Sequence, residues 1–124
     1  MKLKSTNLLI VEDQLYIRDK IKEEALKTDV FDVAYVCETL KEALNIINTQ
    51  EVHIITLDLS LPDGGGLEIL SYIKNNNLNI KVLVFSASSE MKNISLRYGA
   101  NYFFDKKNGL EPLISALSNC LSTP

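Results

Sequence analysis

Asp58 closes an apolar run, Ile54-Ile55-Thr56-Leu57, and opens a polar stretch, Leu59-Ser60-Leu61-Pro62-Asp63-Gly64-Gly65-Gly66. A carboxylate placed where a buried strand meets a loop is costly unless something pairs or uses it. Two other runs end in compatible chemistry. Leu8-Leu9-Ile10-Val11 stops at Glu12-Asp13, and Val82-Leu83-Val84-Phe85 stops at Ser86. A fourth segment, Tyr102-Phe103-Phe104, leads through Asp105 to Lys106. If these are parallel neighbours, three acids, a hydroxyl and an ammonium meet at one sheet edge. Hard oxygen ligands beside an ammonium suit a divalent cation and a phosphoryl group. Two carboxylates ~4 Å apart repel by about 4 kcal/mol at an effective dielectric near ~20, so three crowded acids call for a cation.

The elements that must position these residues follow from periodicity. Residues 8–11 are continuously apolar, the signature of a strand buried on both faces. Ile17, Ile21 and Ala25 then share one face of a helix whose other positions are charged. Val33-Ala34-Tyr35-Val36 reads as a short strand nearer a sheet edge. Thr39 with Glu42 makes a capping box, and Leu40, Ala43, Leu44 and Ile47 form the stripe of the helix behind it. A third strand spans about 53–58. Pro62 and three glycines break structure before a helix carrying Leu67, Leu70 and Ile73. The glycines lack the Lys-Ser/Thr that follows in a phosphate-binding P-loop, so they read as a turn.

Lys81 to Ser86 is the fourth strand, 90–98 a weaker helix, and about 101–105 the fifth strand. The last helix carries Leu110, Leu113, Ile114, Leu117 and Leu121. It starts between Asn108 and Pro112, since proline fits only the first turn. Five strands alternating with five helices predict an α/β fold, a doubly wound parallel sheet covered on both faces. Ligands in such sheets bind beyond the carboxyl ends of the strands, where Glu12-Asp13, Asp58, Ser86 and Lys106 fall.

Composition removes several classes of function. The 124 residues suit one domain, 46% hydrophobic and 23% charged, and the net charge of −3 leaves no basic footprint for nucleic acid. Cys37 and Cys120 lack metal-like spacing and read as free thiols. His53 is the sole histidine, too little for a histidine metal site or a Ser-His-Asp triad. No apolar stretch approaches the ~20 residues that span a membrane, and no signal peptide opens the chain, so a cytoplasmic location is expected.

Four segments together resemble the receiver domain of two-component response regulators, over residues 7 to about 121. They are Leu9 to Asp13, Leu57 to Glu68, Val84-Phe85-Ser86-Ala87, and Gly99 to Lys106. The resemblance implies a flavodoxin-like fold with strand order 2-1-3-4-5. It makes Asp58 the phosphoacceptor, taking a phosphoryl group from a phosphohistidine donor. Glu12, Asp13, Asp58 and the backbone carbonyl of Ser60 would hold one Mg²⁺, Asp13 directly and Glu12 through water. Lys106 would contact the phosphoryl oxygens and Ser86 would donate its hydroxyl. Phe103, three residues before Lys106, matches the switch aromatic, although a plain core residue would look the same. Ser60 and Ser88 would border the path of an attacking water, and neither offers a carboxylate or carboxamide. Lys107 stands where many members have proline, which leaves that loop to be seen.

The implied partners are a sensor histidine kinase or phosphotransfer protein, and a target or output domain at the helix 4–strand 5–helix 5 face. A phosphorylation-dependent homodimer is compatible, whereas nucleic acid and membrane are not expected as direct partners. The chain is expected to be a single receiver domain over 1–124 with no output domain, since Ser122-Thr123-Pro124 is too short for one. It would catalyse only its own Mg²⁺-dependent phosphorylation and dephosphorylation. Two rivals are an aspartyl-nucleophile phosphohydrolase and a degenerate, constitutive receiver. The first wants a second acid at position 60, which is serine, and the second is opposed by the intact set Asp13, Asp58, Ser86 and Lys106.

Overall fold

The computed structural model describes residues 6–119. Cys120 and Leu121, with the last three residues, lie outside the described residues. Ten principal elements alternate along the described residues. They are β1 (Asn7–Val11), α1 (Leu15–Lys27), β2 (Val33–Cys37), α2 (Leu40–Thr49), β3 (Ile54–Leu57), α3 (Leu67–Asn75), β4 (Lys81–Ser86), α4 (Lys92–Arg97), β5 (Tyr102–Asp105) and α5 (Glu111–Asn119). The strands form one sheet in the order β2-β1-β3-β4-β5, and every neighbouring pair is parallel. The doubly wound topology expected from the sequence is the one observed.

Successive side chains of a strand leave opposite faces, so a continuous apolar run feeds two cores at once. On one face Leu9, Val11, Ile55, Leu57, Val82 and Val84 pack against Leu40 and Ala43 of α2 and Ile69, Leu70 and Ile73 of α3. On the other, Leu8, Ile10, Ile54, Leu83 and Phe85 meet Ile21 and Ala25 of α1 and Leu113 and Leu117 of α5. These residues are nearly all fully buried, and truncating one such leucine to alanine typically costs about 2–5 kcal/mol. Two-sided burial also pins the register, because a slip by one residue would exchange the two cores.

Several boundaries differ from the sequence reading. β3 is bounded by Ile54 and Leu57, although His53 and Asp58 still donate their N–H groups to Asn7 and Val11 carbonyls. The stretch after Asp58 is more ordered than a break. Ser60–Leu61 pairs antiparallel with Gly64–Gly65, with Pro62-Asp63 as the turn between them. A Cβ at Gly66 would lie 2.8 Å from the Asp58 carbonyl, so the chain returns against the site only because that residue is glycine. α4 is six residues long, preceded by a 3₁₀ turn at Ser89–Met91, and buries only Ser95.

The capping box at α2 is extended. Thr39 Oγ1 accepts the Glu42 N–H (3.1 Å), while the Glu42 carboxylate accepts the Glu38 N–H (3.4 Å) and the Thr39 hydroxyl (2.9 Å). Asp63 then supplies what the box leaves open, accepting the N–H groups of Leu40 (2.7 Å) and Lys41 (3.0 Å). The loop after Asp58 is thereby tied to the helix that begins beyond β2.

These two N–H bonds, with burial opposing them, hold the Asp63 carboxyl below its ordinary value of 3.8. A depressed carboxyl contributes stability that is fully present above its unfolded value and is lost as pH falls through the folded one. Asp63→Ala is therefore expected to lower the urea midpoint near neutral pH, with Asp63→Asn retaining part of the cap. The gap from wild type should narrow as pH falls through and below 3.8. A gap independent of pH would mean that the carboxylate is not what caps α2.

Candidate functional site

Parallel register delivers the acids to one place. Val11 pairs with Leu57, so Glu12 and Asp58 leave the sheet side by side, one residue beyond. Leu57 pairs with Val84 and Ser86 with Asp105, which sets the end of β4 and Lys106 beside them. Asp58 and Ser86 are buried, Glu12 is 1% exposed, and Asp13 is exposed at the rim. A cavity of about 200 Å³ is lined by Asp13, Gln14, Asp58, Ser60, Ser86, Ala87, Ser88 and Lys106. A wider, largely apolar groove of about 700 Å³ lies between α1 and α5 and shares only Lys106 with it, so the polar chemistry sits in the smaller cavity.

Lys106 is the hub. Its Nζ lies 3.1 and 3.2 Å from the two oxygens of Glu12, 3.2 Å from Asp58 Oδ2 and 3.4 Å from Gln14 Oε1. It also stands 5.7 Å from the centre of the Phe85 ring, within reach of its π face. Asp58 Oδ1 accepts the Ser60 N–H at 3.0 Å, and Glu12 Oε2 accepts the Gln14 N–H at 3.2 Å. Burial first, and the charge of Asp58 second, push the Glu12 carboxyl up from 4.5 to about 7, with Lys106 opposing. Two buried carboxylates share one ammonium, which leaves the pair short of positive charge.

Ligand oxygens of Glu12, Asp13 and Asp58 lie within 4.8 Å of one another. An all-oxygen, carboxylate-rich set of this kind fits a hard divalent cation such as Mg²⁺. Ser86 Oγ accepts the Ser88 N–H at 3.1 Å, which leaves its own O–H as a donor. Phe103 is not in the cleft. It is half-buried in β5 opposite Val84, on the same sheet face as Ser86 and packed against the α2–α3 core. After Lys106 the chain makes a 3₁₀ turn, Lys106–Asn108, closed by Asp105 accepting the Lys107 N–H (2.9 Å), and Lys107 is exposed.

Three neighbours of the site were not evident in the sequence. Gln14 and Phe85 touch Lys106, and Arg18 donates to the Glu12 carbonyl (3.2 Å) and to Glu38 (2.9 Å). Arg18 sits among the charged positions of α1, where nothing distinguishes a bridging arginine from a solvated one. Cys37 is buried, and burial pushes its thiol up to about 12, where it is inert.

Comparison with known proteins points the same way. The family described as response regulator receiver domain matches residues 8–118. Transcriptional regulatory protein MalR of Bacillus subtilis is 33% identical over 115 residues, covering 91% of this chain and 49% of MalR. Chemotaxis protein CheY of Listeria monocytogenes is 30% identical over 112 residues, 89% of this chain and 93% of CheY. The phosphorylated cyanobacterial phytochrome response regulator RcpA superposes with a TM-score of 0.81 at 25% identity, over 98% of this chain and 97% of its own. The chain spans about half the length of transcriptional regulators such as MalR.

The raised Glu12 carboxyl has a thermodynamic sign. A group whose folded value exceeds its unfolded one stabilises fully below the unfolded value and loses that contribution as pH rises through the folded value. In EDTA, stability to urea should therefore fall as pH rises from 4.5 through about 7, and Glu12→Gln should flatten that slope. An unchanged slope in Glu12→Gln would place the titration elsewhere.

Proposed function

This chain belongs to the response regulator receiver family, and on that premise we propose that it accepts a phosphoryl group on Asp58 from a phosphohistidine donor. Receiver domains are signalling modules that work with histidine kinases and output domains rather than turnover enzymes. The observation that carries the reading is Lys106 held between the buried carboxylates of Glu12 and Asp58, with the Ser86 hydroxyl lining the same cavity.

The chemistry follows from the hydrogen bonds. A carboxylate oxygen of Asp58 attacks phosphorus, the phosphorus–nitrogen bond breaks, and the imidazole leaves with its electron pair. The Ser60 N–H fixes the plane of the Asp58 carboxylate through Oδ1. Lys106 then exchanges a carboxylate partner for a phosphoryl oxygen, meeting the charge of the transferring group where it develops. Ser86 donates its O–H to another phosphoryl oxygen. Glu12, Asp13, Asp58 and the Ser60 carbonyl would hold Mg²⁺, which when bound supplies the positive charge that one lysine cannot. Asp13, exposed at the rim, would be the direct ligand, whereas Glu12, held by Lys106 and the Gln14 N–H, would act through water.

The output follows from the same face of the sheet. Ser86 moving toward the phosphoryl group would open space into which Phe103 turns, altering the α4–β5–α5 surface read by a target or output domain. Three large side chains of that region, Leu96, Tyr98 and Tyr102, are exposed. Among the described residues no helix is long and apolar enough to cross a membrane.

Incubation with Mg²⁺ and acetyl phosphate should add the mass of one phosphoryl group to the intact protein, and Asp58→Ala should abolish the gain. A gain that survives in Asp58→Ala would move the acceptor elsewhere. In Mg²⁺ titrations followed by NMR shifts, Asp13→Ala should weaken binding more than Glu12→Ala. Equal losses would contradict the division between direct and water-mediated ligands.

A further inference from the structure

Gln14 occupies the position that caps α1, yet its side chain makes no capping bond. The amide is turned into the phosphoryl cavity instead, where Oε1 is 3.4 Å from Lys106 Nζ. Its backbone is anchored on both sides. The N–H donates to Glu12 Oε2 (3.2 Å) and the carbonyl accepts the Arg18 N–H (2.9 Å). Gln14 is exposed at the cavity rim, and its amide oxygen reaches the ammonium from that anchored backbone. Among the described residues, no other that lines the cavity carries a carboxamide.

We propose that Gln14 is a positioning residue for Lys106, a neutral acceptor that keeps the ammonium on the phosphoryl group once Asp58 is no longer a free carboxylate. The inference rests on the reading of Asp58 as phosphoacceptor. An ammonium has three N–H donors, and here they meet Glu12, Asp58 and Gln14. Phosphorylation places a phosphoryl group on Asp58, and a bound cation draws on the Glu12 carboxylate. Of the three partners, Gln14 alone is left unaltered by both events. An amide oxygen orients the ammonium without neutralising it, so the positive charge stays directed at the phosphoryl oxygens. A carboxylate at position 14 would compete for that charge.

Both directions of transfer need Lys106. In acquisition from acetyl phosphate, Asp58 forms a bond to phosphorus as acetate departs with the electron pair of the broken bond. In loss, water attacks phosphorus, Asp58 departs as carboxylate and inorganic phosphate is released with the water's oxygen. A loosened lysine should slow the two together. A residue that orients the attacking water would affect loss alone, and one that shapes the acid pair would change Mg²⁺ affinity.

The test uses Gln14→Leu, with Gln14→Met as a second variant of similar length. Acquisition and loss should both slow by roughly two- to tenfold, the range that a single hydrogen bond commands. Mg²⁺ affinity and the urea midpoint should match wild type. Affinity for beryllofluoride, a phosphoryl mimic read by NMR, should fall in Gln14→Leu and in Lys106→Met. The double variant should bind it no worse than Lys106→Met alone. Unchanged rates, a change in loss only, a drop in Mg²⁺ affinity or additive losses of beryllofluoride affinity would each overturn the proposal. Wild-type protein that takes no phosphoryl group would overturn the Asp58 reading and this one with it. Normal phosphorylation of wild type with an indifferent Gln14→Leu would overturn this one alone.

Discussion

Two buried carboxylates, Glu12 and Asp58, depend on one ammonium, that of Lys106. Burial of a charge costs several kcal/mol unless it is paired and hydrogen-bonded, and here three groups of two signs must be brought together from distant parts of the chain. Removing Lys106 would leave both carboxylates uncompensated, whereas removing either acid would leave one carboxylate matched to the ammonium. The parallel sheet is what makes the arrangement affordable, because β1, β3 and the end of β5 arrive at the same edge pointing the same way. The remaining hydrogen-bond capacity is met locally, by the N–H groups of Ser60 and Gln14. With one positive charge against two negative ones, the edge could hold a cation, and burial first, with the Asp58 charge second, raises the Glu12 carboxyl.

That edge is stable only because both faces of the sheet are filled. The strands that carry the acids contribute Leu9, Val11, Ile55 and Leu57 to one core and Leu8, Ile10 and Ile54 to the other. Register is held from both sides, and with it the alignment of Glu12 and Asp58. The loop after Asp58 is held more specifically, by Asp63 on the first turn of α2 and by the close return of Gly66. The loop after Asp58 and the first turn of α2 are therefore joined through a carboxylate remote from the Glu12–Asp58–Lys106 cluster.

Much of this was legible in the sequence because burial on two faces writes a simple pattern. Continuous apolar runs ending in Glu12, Asp58 and Ser86 marked both the strand type and the sheet edge at which these residues gather. α2 was equally plain, with its stripe Leu40, Ala43, Leu44 and Ile47. The features that escaped are those in which a polar side chain serves a distant backbone. Asp63 looked like part of a turn, and only its spatial position turns it into the cap of α2. Arg18 and Gln14 look solvated, since their contacts to the Glu12 carbonyl and to Lys106 leave no periodic trace. The short ladder at Ser60–Leu61 was missed because three glycines and a proline carry no strand propensity.

The strand period of two also offers a route from chemistry to surface. Ser86 and Phe103 lie on neighbouring strands and on the same face, one layer apart, because Val84 faces Phe103 and Ser86 faces Asp105. The element beside them, α4, is short and buries a single serine, so few apolar contacts oppose its displacement. α2 and α3, by contrast, bury Leu40, Ala43, Ile69, Leu70 and Ile73 on that face. A disturbance that begins at Ser86 therefore meets a stiff wall on one side and a weakly anchored helix on the other. A displacement that began at Ser86 would be taken up where the core is thin, without a dedicated lever.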